Sequence, residues 1–229
     1  MRPWTVLLFD VDGTLVLTGG AGRRALAAAF EDVVDCAGAL DSVDFRGQTD
    51  LALLRAGLEA AGRPFDPGLV SAIVARYLDA LDRELEGCPA YHVLPGATAL
   101  LTQLQRFPAI AVGLGTGNLE RGARLKLGPG RLNDFFTFGG FGDDHEDRAE
   151  LLRYGARRGA AELGRTPDEC RVVVIGDTPR DVAAAHAIGA TCVGVATGGY
   201  PQAALAAAGA ALVVTSLADE RVLPALEHR

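Results

Sequence analysis

Residues 5–16 read Thr-Val-Leu-Leu-Phe-Asp-Val-Asp-Gly-Thr-Leu-Val, and this stretch limits what the rest of the chain can build. Val6, Leu7, Leu8 and Phe9 form an apolar run without turn formers, as a strand covered on both faces of a parallel sheet requires. Asp10, Asp12 and Gly13 follow at once, so two carboxylates stand where the strand gives way to a loop. In open α/β sheets that carboxyl edge is where ligands bind. Acids one residue apart repel unless a proton or a cation lies between them. A hard cation such as Mg²⁺ takes oxygen ligands and pairs with phosphate. A carboxylate can also attack phosphorus. A plain strand ending in an Asp-Gly turn fits these residues equally well.

With 229 residues the chain has room for one large domain, or for a core with a sizeable insertion. No apolar run reaches membrane-spanning length, and Met1-Arg2-Pro3-Trp4 leads into the strand without a cleavable signal pattern. The expectation is a cytoplasmic protein. Cys36, Cys88, Cys170 and Cys192 form no CxxC pair, and the last two flank apolar runs as buried thiols do. A formal charge of −7 argues against a nucleic-acid partner. It does not argue against a small phosphorylated substrate, because a bound metal reverses the charge of a site.

From Leu15 to Pro89 the periodicity is helical. Ala25, Leu26, Phe30, Val33 and Val34 recur at helical spacing, as do Leu51, Leu54 and Leu58. A longer apolar stripe runs from Leu69 to Leu85. Helices with no strand between them point to a bundle inserted into a sheet domain. The expected division is a core of residues 1–15 and 90–229 with a helical cap over 16–89. Beyond the insertion, 109–114 reads as a second core strand ending in Gly115-Thr116-Gly117-Asn118, and 119–127 as a helix. Phe135 to Phe138 reads as a short strand before a Gly-rich loop, and Arg148 to Leu163 as a helix. Residues 171–175 form the clearest strand, ending in Gly176-Asp177-Thr178-Pro179-Arg180-Asp181. Ala183 to Ile188 is expected to be helical and capped by Gly189. Residues 191–195 and 211–214 add short strands. This alternation predicts an α/β protein with a doubly wound, mostly parallel, Rossmann-like sheet.

Three strands thus end in groups suited to phosphoryl chemistry: Asp10 with Asp12, Thr116 with Gly117, and Asp177 with Asp181. One parallel sheet brings its carboxyl ends to one edge, so these groups should converge. A cation must also neutralise the phosphoryl oxygens, and Arg148 and Lys126 are the candidates. Asp-Val-Asp-Gly-Thr, then Thr-Gly after a second strand, a basic residue, and Gly-Asp-Thr-Pro-Arg-Asp, in this order, resemble the haloacid dehalogenase superfamily. The chain is most similar to its phosphoglycolate-phosphatase-like branch. The resemblance implies a phosphatase with Asp10 as nucleophile and Asp12 as general acid/base. It implies Thr116 and Gly117 on phosphate, and Mg²⁺ held by Asp10, Asp177 and the Asp12 carbonyl, with Asp181 orienting the metal shell. The basic residue is usually Lys in that family; here Arg148 takes the position, and Arg holds phosphate bidentately. The implied partner is a small phosphorylated metabolite, with neither nucleic acid nor membrane, and the chain is expected as a monomer or homodimer.

Plainer roles stand beside these. Asn118 is a candidate substrate contact, but a helix N-cap suits it better. Gln48 and Thr49 lie where the resemblance puts substrate contacts from the cap, and a simple loop explains them almost as well. Lys126, between Leu125 and Leu127, reads as a solvated helix face. A helix of about eight residues carries it ~12 Å from Thr116. Residues 143–147 look like a metal cluster by composition and read better as an acidic approach to a helix start. His92 and His186 have no partner at ligand spacing. Asp12 separates a phosphatase from a haloalkanoate dehalogenase. The absence of lysine between Leu15 and Pro89 counts against a phosphonate hydrolase. A sugar-phosphate mutase, a pyrophosphatase and a degenerate ligand-binding relative remain as alternatives. A receiver-type signalling domain would be about half as long and lack the insertion.

Overall fold

The computed structural model describes residues 4–227. Residues 1–3, on which the reading of a leaderless start rests, and residues 228–229 lie outside the described residues. Strand β1 (Trp4–Phe9) leads to β2 (Val16–Thr18), then to helices α1 (Ala21–Val34), α2 (Asp50–Ala60) and α3 (Pro67–Leu85), and to β3 (Tyr91–Val93). There follow α4 (Ala97–Leu104), β4 (Ile110–Gly115), α5 (Glu120–Leu127), β5 (Gly139–Gly140), α6 (Arg148–Glu162) and β6 (Cys170–Gly176). The chain ends in α7 (Pro179–Ala187), β7 (Thr191–Val195), α8 (Gln202–Ala207), β8 (Leu212–Val214) and α9 (Val222–Glu227).

β1 lies inside a six-stranded sheet of order β5-β4-β1-β6-β7-β8. Every pairing in it is parallel. The apolar run explains the central position. Leu7 and Phe9 pack with Leu100, Leu101 and Phe136 on one face, while Val6 and Leu8 pack with Leu151, Leu152 and Val182 on the other. A strand with a polar face could not occupy this place. From β1 the sheet grows first towards β4 and β5, then in the opposite direction from β6. The reversal opens a crevice at the carboxyl ends of β1, β4 and β6.

Between β1 and β4 the chain leaves this sheet, and its helices build a separate apolar cluster. Leu26, Phe30, Leu54, Ile73, Tyr77 and Leu81 are buried there. α1 and α3 form its main pair. Local chemistry fixes the helix starts. Thr49 and Asp66 cap α2 and α3, with Pro67 in the first turn of α3.

Several elements differ from the sequence expectation. β2 and β3 pair antiparallel as a small ribbon at the two crossings between sheet and insertion. At three residues each they are too short to give a periodic signal. The expected strand at 135–138 is absent. Asn133–Phe135 is a 3-10 turn, and the strand that pairs with β4 is Gly139–Gly140. Phe136 and Phe138 are buried in opposite core layers, so their hydrophobicity reports packing and not sheet pairing. Helix α7 starts at Pro179, four residues earlier than expected, because Thr178 and Asp181 form a capping box and Pro179 opens the helix. Cys170 and Cys192 are buried, as expected. Among the described residues no helix is long and apolar enough to cross a membrane.

Candidate active site

β1 and β6 deliver Asp10 and Asp177 to the crevice, and the first turn of α7 turns Asp181 towards them. All three carboxylates are buried, and one oxygen from each lies within 4.8 Å of the others. Burial first, then the neighbouring acids, pushes the carboxyls of Asp10 and Asp177 well above the ordinary range. Glycines make the close approach sterically feasible. A Cβ on Gly198 would stand 1.6 Å from Asp177 Oδ2, and one on Gly13 would stand 2.5 Å from it. A buried, oxygen-only set of three acids fits a divalent cation, which would relieve their repulsion.

Arg148 supplies the adjacent positive charge. Asp147 caps α6, accepting from the backbone N–H groups of Ala149 and Glu150, and so sets Arg148 at the first helical position. Its Nη2 lies 3.0 Å from Asp10 Oδ1 and 2.5 Å from Asp181 Oδ1. Burial works against its charge, but Asp181 and Asp10 outweigh that and strengthen it. Asp181 is further held through Oδ2, which accepts from the Thr178 N–H and hydroxyl.

Thr116 and Asn118 come from the loop after β4. The Thr116 hydroxyl oxygen accepts from the Asn118 N–H and side-chain amide. As a hydroxyl has one proton and two lone pairs, its own proton remains available to a ligand. Asn118 does not cap α5. The position before that helix is Leu119, whose N–H donates to Asp50 Oδ2, and the Glu120 N–H donates to Asp143. Two acids from elsewhere in the chain thus take over the capping expected of Asn118. Its amide is free to bridge, donating to Asp12 Oδ2 at 2.8 Å and accepting from Lys126 Nζ at 2.6 Å.

Lys126 is therefore the main departure from the sequence reading. It is 5% exposed, and Nζ lies 2.7 Å from Asp12 Oδ2. The expectation of a solvated face counted only distance along the helix axis. Side chains on a helix lean back towards its N-terminus. Asn118 reaching forward and Lys126 reaching back close the two turns between them. Burial opposes its charge, yet Asp12, Tyr77 and Asp50 together raise its pKa above the usual lysine value. A sequence signal did exist: Lys126 is the only lysine in a chain with 22 Lys and Arg together.

The insertion closes the crevice from above. Gly117 lies directly beneath its loop, where a Cβ would meet the Gln48 carbonyl oxygen at 2.4 Å; the Asp50 N–H donates to the Gly117 carbonyl. Arg148 Nη1 and Arg180 reach the carbonyls of Gly47 and Arg46. Gln48 lines the cavity, whose volume is about 490 Å³, together with Asp10, Asp12, Thr116, Gly117 and Asp177. Thr49 does not. Its hydroxyl caps α2, accepting from the Ala52 N–H, and donates to the Glu146 carbonyl. Asp50, unmarked in the sequence reading, is buried at the same junction, and burial pushes its carboxyl up to about 6 despite Lys126. Residues 143–147 act as the acidic approach to α6. Asp144 and Glu146 pair with Arg158 and Arg55.

Residues 4–189 match the haloacid dehalogenase-like hydrolase family. A phosphoglycolate phosphatase from Caulobacter vibrioides is 30% identical over 221 residues, covering 93% of this chain and 87% of that protein. Among solved structures, a hydrolase from Pseudomonas syringae superposes with a TM-score of 0.65 at 24% identity, covering 98% of this chain and 97% of its own. CbbY from Rhodobacter sphaeroides, crystallised in complex with phosphate, gives 0.66 at 21% identity, with 96% of each chain covered.

Proposed function

The chain belongs to the haloacid dehalogenase-like hydrolases, and within that family we propose that it is a phosphatase of small phosphomonoesters, phosphoglycolate-like or sugar phosphates, working through an aspartyl-phosphate. The observation that carries this reading is the convergence of Asp10, Asp177 and Asp181 within 4.8 Å, with Arg148 on Asp10. The curated relative is a phosphoglycolate phosphatase, which supports the same chemistry.

In this reading an Asp10 oxygen attacks phosphorus as the ester P–O bond breaks, and the leaving alkoxide takes a proton from Asp12. A water then attacks the phosphoryl group while Asp12 accepts its proton, releasing phosphate and restoring Asp10. Thr116, the Gly117 N–H and Arg148 bind phosphoryl oxygens. Asp10 and Asp177, with the Asp12 carbonyl, would hold a Mg²⁺ ion, which would supply charge neutralisation at those oxygens. Asp181 positions Arg148 and the end of β6. Asn118 and Lys126 hold the Asp12 carboxylate at the mouth of the cavity. Residues 16–89 serve as a cap whose loop at 46–50 excludes water and meets the leaving group, with residues 1–15 and 90–229 as the catalytic core.

Phosphate release across a panel of phosphorylated metabolites, each with Mg²⁺ and with EDTA, tests this. The expected result is turnover of several small monoesters that EDTA abolishes and Mg²⁺ restores. Turnover unaffected by EDTA excludes the metal-dependent mechanism, and no release from any monoester overturns the phosphatase reading.

A further inference from the structure

The wall of the cavity beside Asp12 carries three groups with unused hydrogen-bonding capacity. Lys126 Nζ gives two of its N–H groups to Asp12 and Asn118, leaving a third. Asp50 accepts the Leu119 N–H through Oδ2, and its Oδ1 takes no hydrogen bond from the described residues. Tyr77 is 2% exposed, and its hydroxyl has no hydrogen-bond partner among the described residues. All three side chains line the cavity.

Gly22, which lines the cavity, and Gly122 both approach these polar ends. A Cβ on Gly22 would sit 3.3 Å from Lys126 Nζ and 3.9 Å from the Tyr77 hydroxyl. A Cβ on Gly122 would sit 3.8 Å from both Asp50 Oδ2 and the Tyr77 hydroxyl. The three polar ends therefore face one small volume, drawn from α2, α3 and α5.

Its charge decides what fits. Lys126 is the only ammonium, and it is already matched by Asp12, with Asp50 as a second acid alongside. A carboxylate placed here would meet a wall that is neutral or negative. A hydroxyl finds complementary partners: it accepts from Lys126 or Tyr77 and donates to Asp50. Leaving these polar ends unmatched beneath an apolar group has a desolvation cost.

We propose that Asp50, Tyr77 and Lys126 form a subsite for a hydroxyl group next to the ester oxygen, so that the substrate is a phosphorylated polyol or sugar and not a phosphorylated hydroxy acid. This rests on the phosphatase reading, and on Asp12 facing the leaving group.

Three size-matched esters separate the possibilities: 2-hydroxyethyl phosphate, propyl phosphate and 2-phosphoglycolate. On the carbon that bears the ester oxygen they carry a hydroxymethyl, an ethyl or a carboxylate group. The expected kcat/KM with Mg²⁺ is highest for the hydroxyethyl ester, by about tenfold or more over each of the others. In Tyr77→Phe the hydroxyethyl-to-propyl ratio should fall to within about threefold of unity, as one partner is removed with little change of shape. The subsite is overturned if phosphoglycolate is the best of the three. It is equally overturned if the propyl ester matches the hydroxyethyl ester, or if folded Tyr77→Phe keeps the wild-type ratio. Should Tyr77→Phe fail to fold, the wild-type order alone decides. p-Nitrophenyl phosphate serves as the control. Its turnover with phosphoglycolate preferred removes the subsite and leaves the phosphatase reading standing, whereas no turnover of any ester removes both.

Discussion

Arg148 and Lys126 are two buried cations with different duties. Arg148 touches the proposed nucleophile and Asp181, while Lys126 touches the proposed acid/base and Asn118. Loss of a charge-assisted contact at a reacting phosphoryl group costs on the order of 3 kcal/mol, or about a hundredfold in rate. Arg148→Ala is therefore expected to lower kcat by about that factor, and Arg148→Lys to recover part of it. A kcat for Arg148→Ala within threefold of wild type would remove Arg148 from the phosphoryl site. Lys126→Met is expected to lower kcat/KM by at least about tenfold, because the buried Asp50 and the nearby Asp12 would then face each other without a counter-charge. A silent substitution would show that the ion pair is incidental. The placement of Asp10, Asp12, Thr116, Arg148 and Asp177 was legible because each stands at the end of a strand or the start of a helix. Lys126, Asp50 and the bridging of Asn118 were not. They depend on contacts that spacing along one helix does not set: Asp50 of α2 on the Leu119 N–H, and Asn118 and Lys126 together on Asp12.

At the scale of elements, α6 carries Arg148 and is held against β5 by backbone proximity. A Cβ on Gly140 would stand 1.9 Å from the Leu151 carbonyl oxygen. Gly140→Ala must push the helix from the sheet, and overpacking of this kind costs roughly 1–3 kcal/mol. The expected outcome is a lower denaturant midpoint together with reduced turnover, since Arg148 moves with its helix. An unchanged midpoint would show that the contact relaxes without displacing α6. The same glycine pair shows why the strand here was misplaced in the sequence. Apolar runs mark strands covered on both faces, as in β1 and β6, but a two-residue edge strand squeezed against a helix has no side chains to signal it. The capping box of Thr178 and Asp181 was readable, and it alone would have set the start of α7.

For the whole molecule, buried acids tie stability to pH and to metal. The raised carboxyls lie at about 6 for Asp10 and about 9 for Asp177. Their unfolded values are near ~4, so the folded state binds protons more tightly. The stability they contribute is complete below about pH 4 and is lost as pH rises through the folded values. A divalent cation at these acids should offset that loss. Mg²⁺ is therefore expected to raise Tm, and to raise it more at pH 8 than at pH 5.5. Equal Tm values with Mg²⁺ and with EDTA at both pH values would remove the acidic cluster as a metal site. The doubly wound core and the helical insertion were legible in the sequence, because each is built from long periodic segments. The closure of one over the other was not, since it depends on contacts such as Asp50 with Leu119 and Thr49 with Glu146.

Mass spectrometry of enzyme quenched with borohydride during turnover tests most directly whether Asp10 carries the phosphoryl group. Borohydride reduces an acyl phosphate to an alcohol, so a phosphorylated aspartate is recovered as homoserine. Homoserine at position 10, dependent on substrate and missing from Asp10→Asn, is the predicted result. Its appearance at another acid, or an unmodified Asp10 in enzyme that is turning over, would contradict the mechanism.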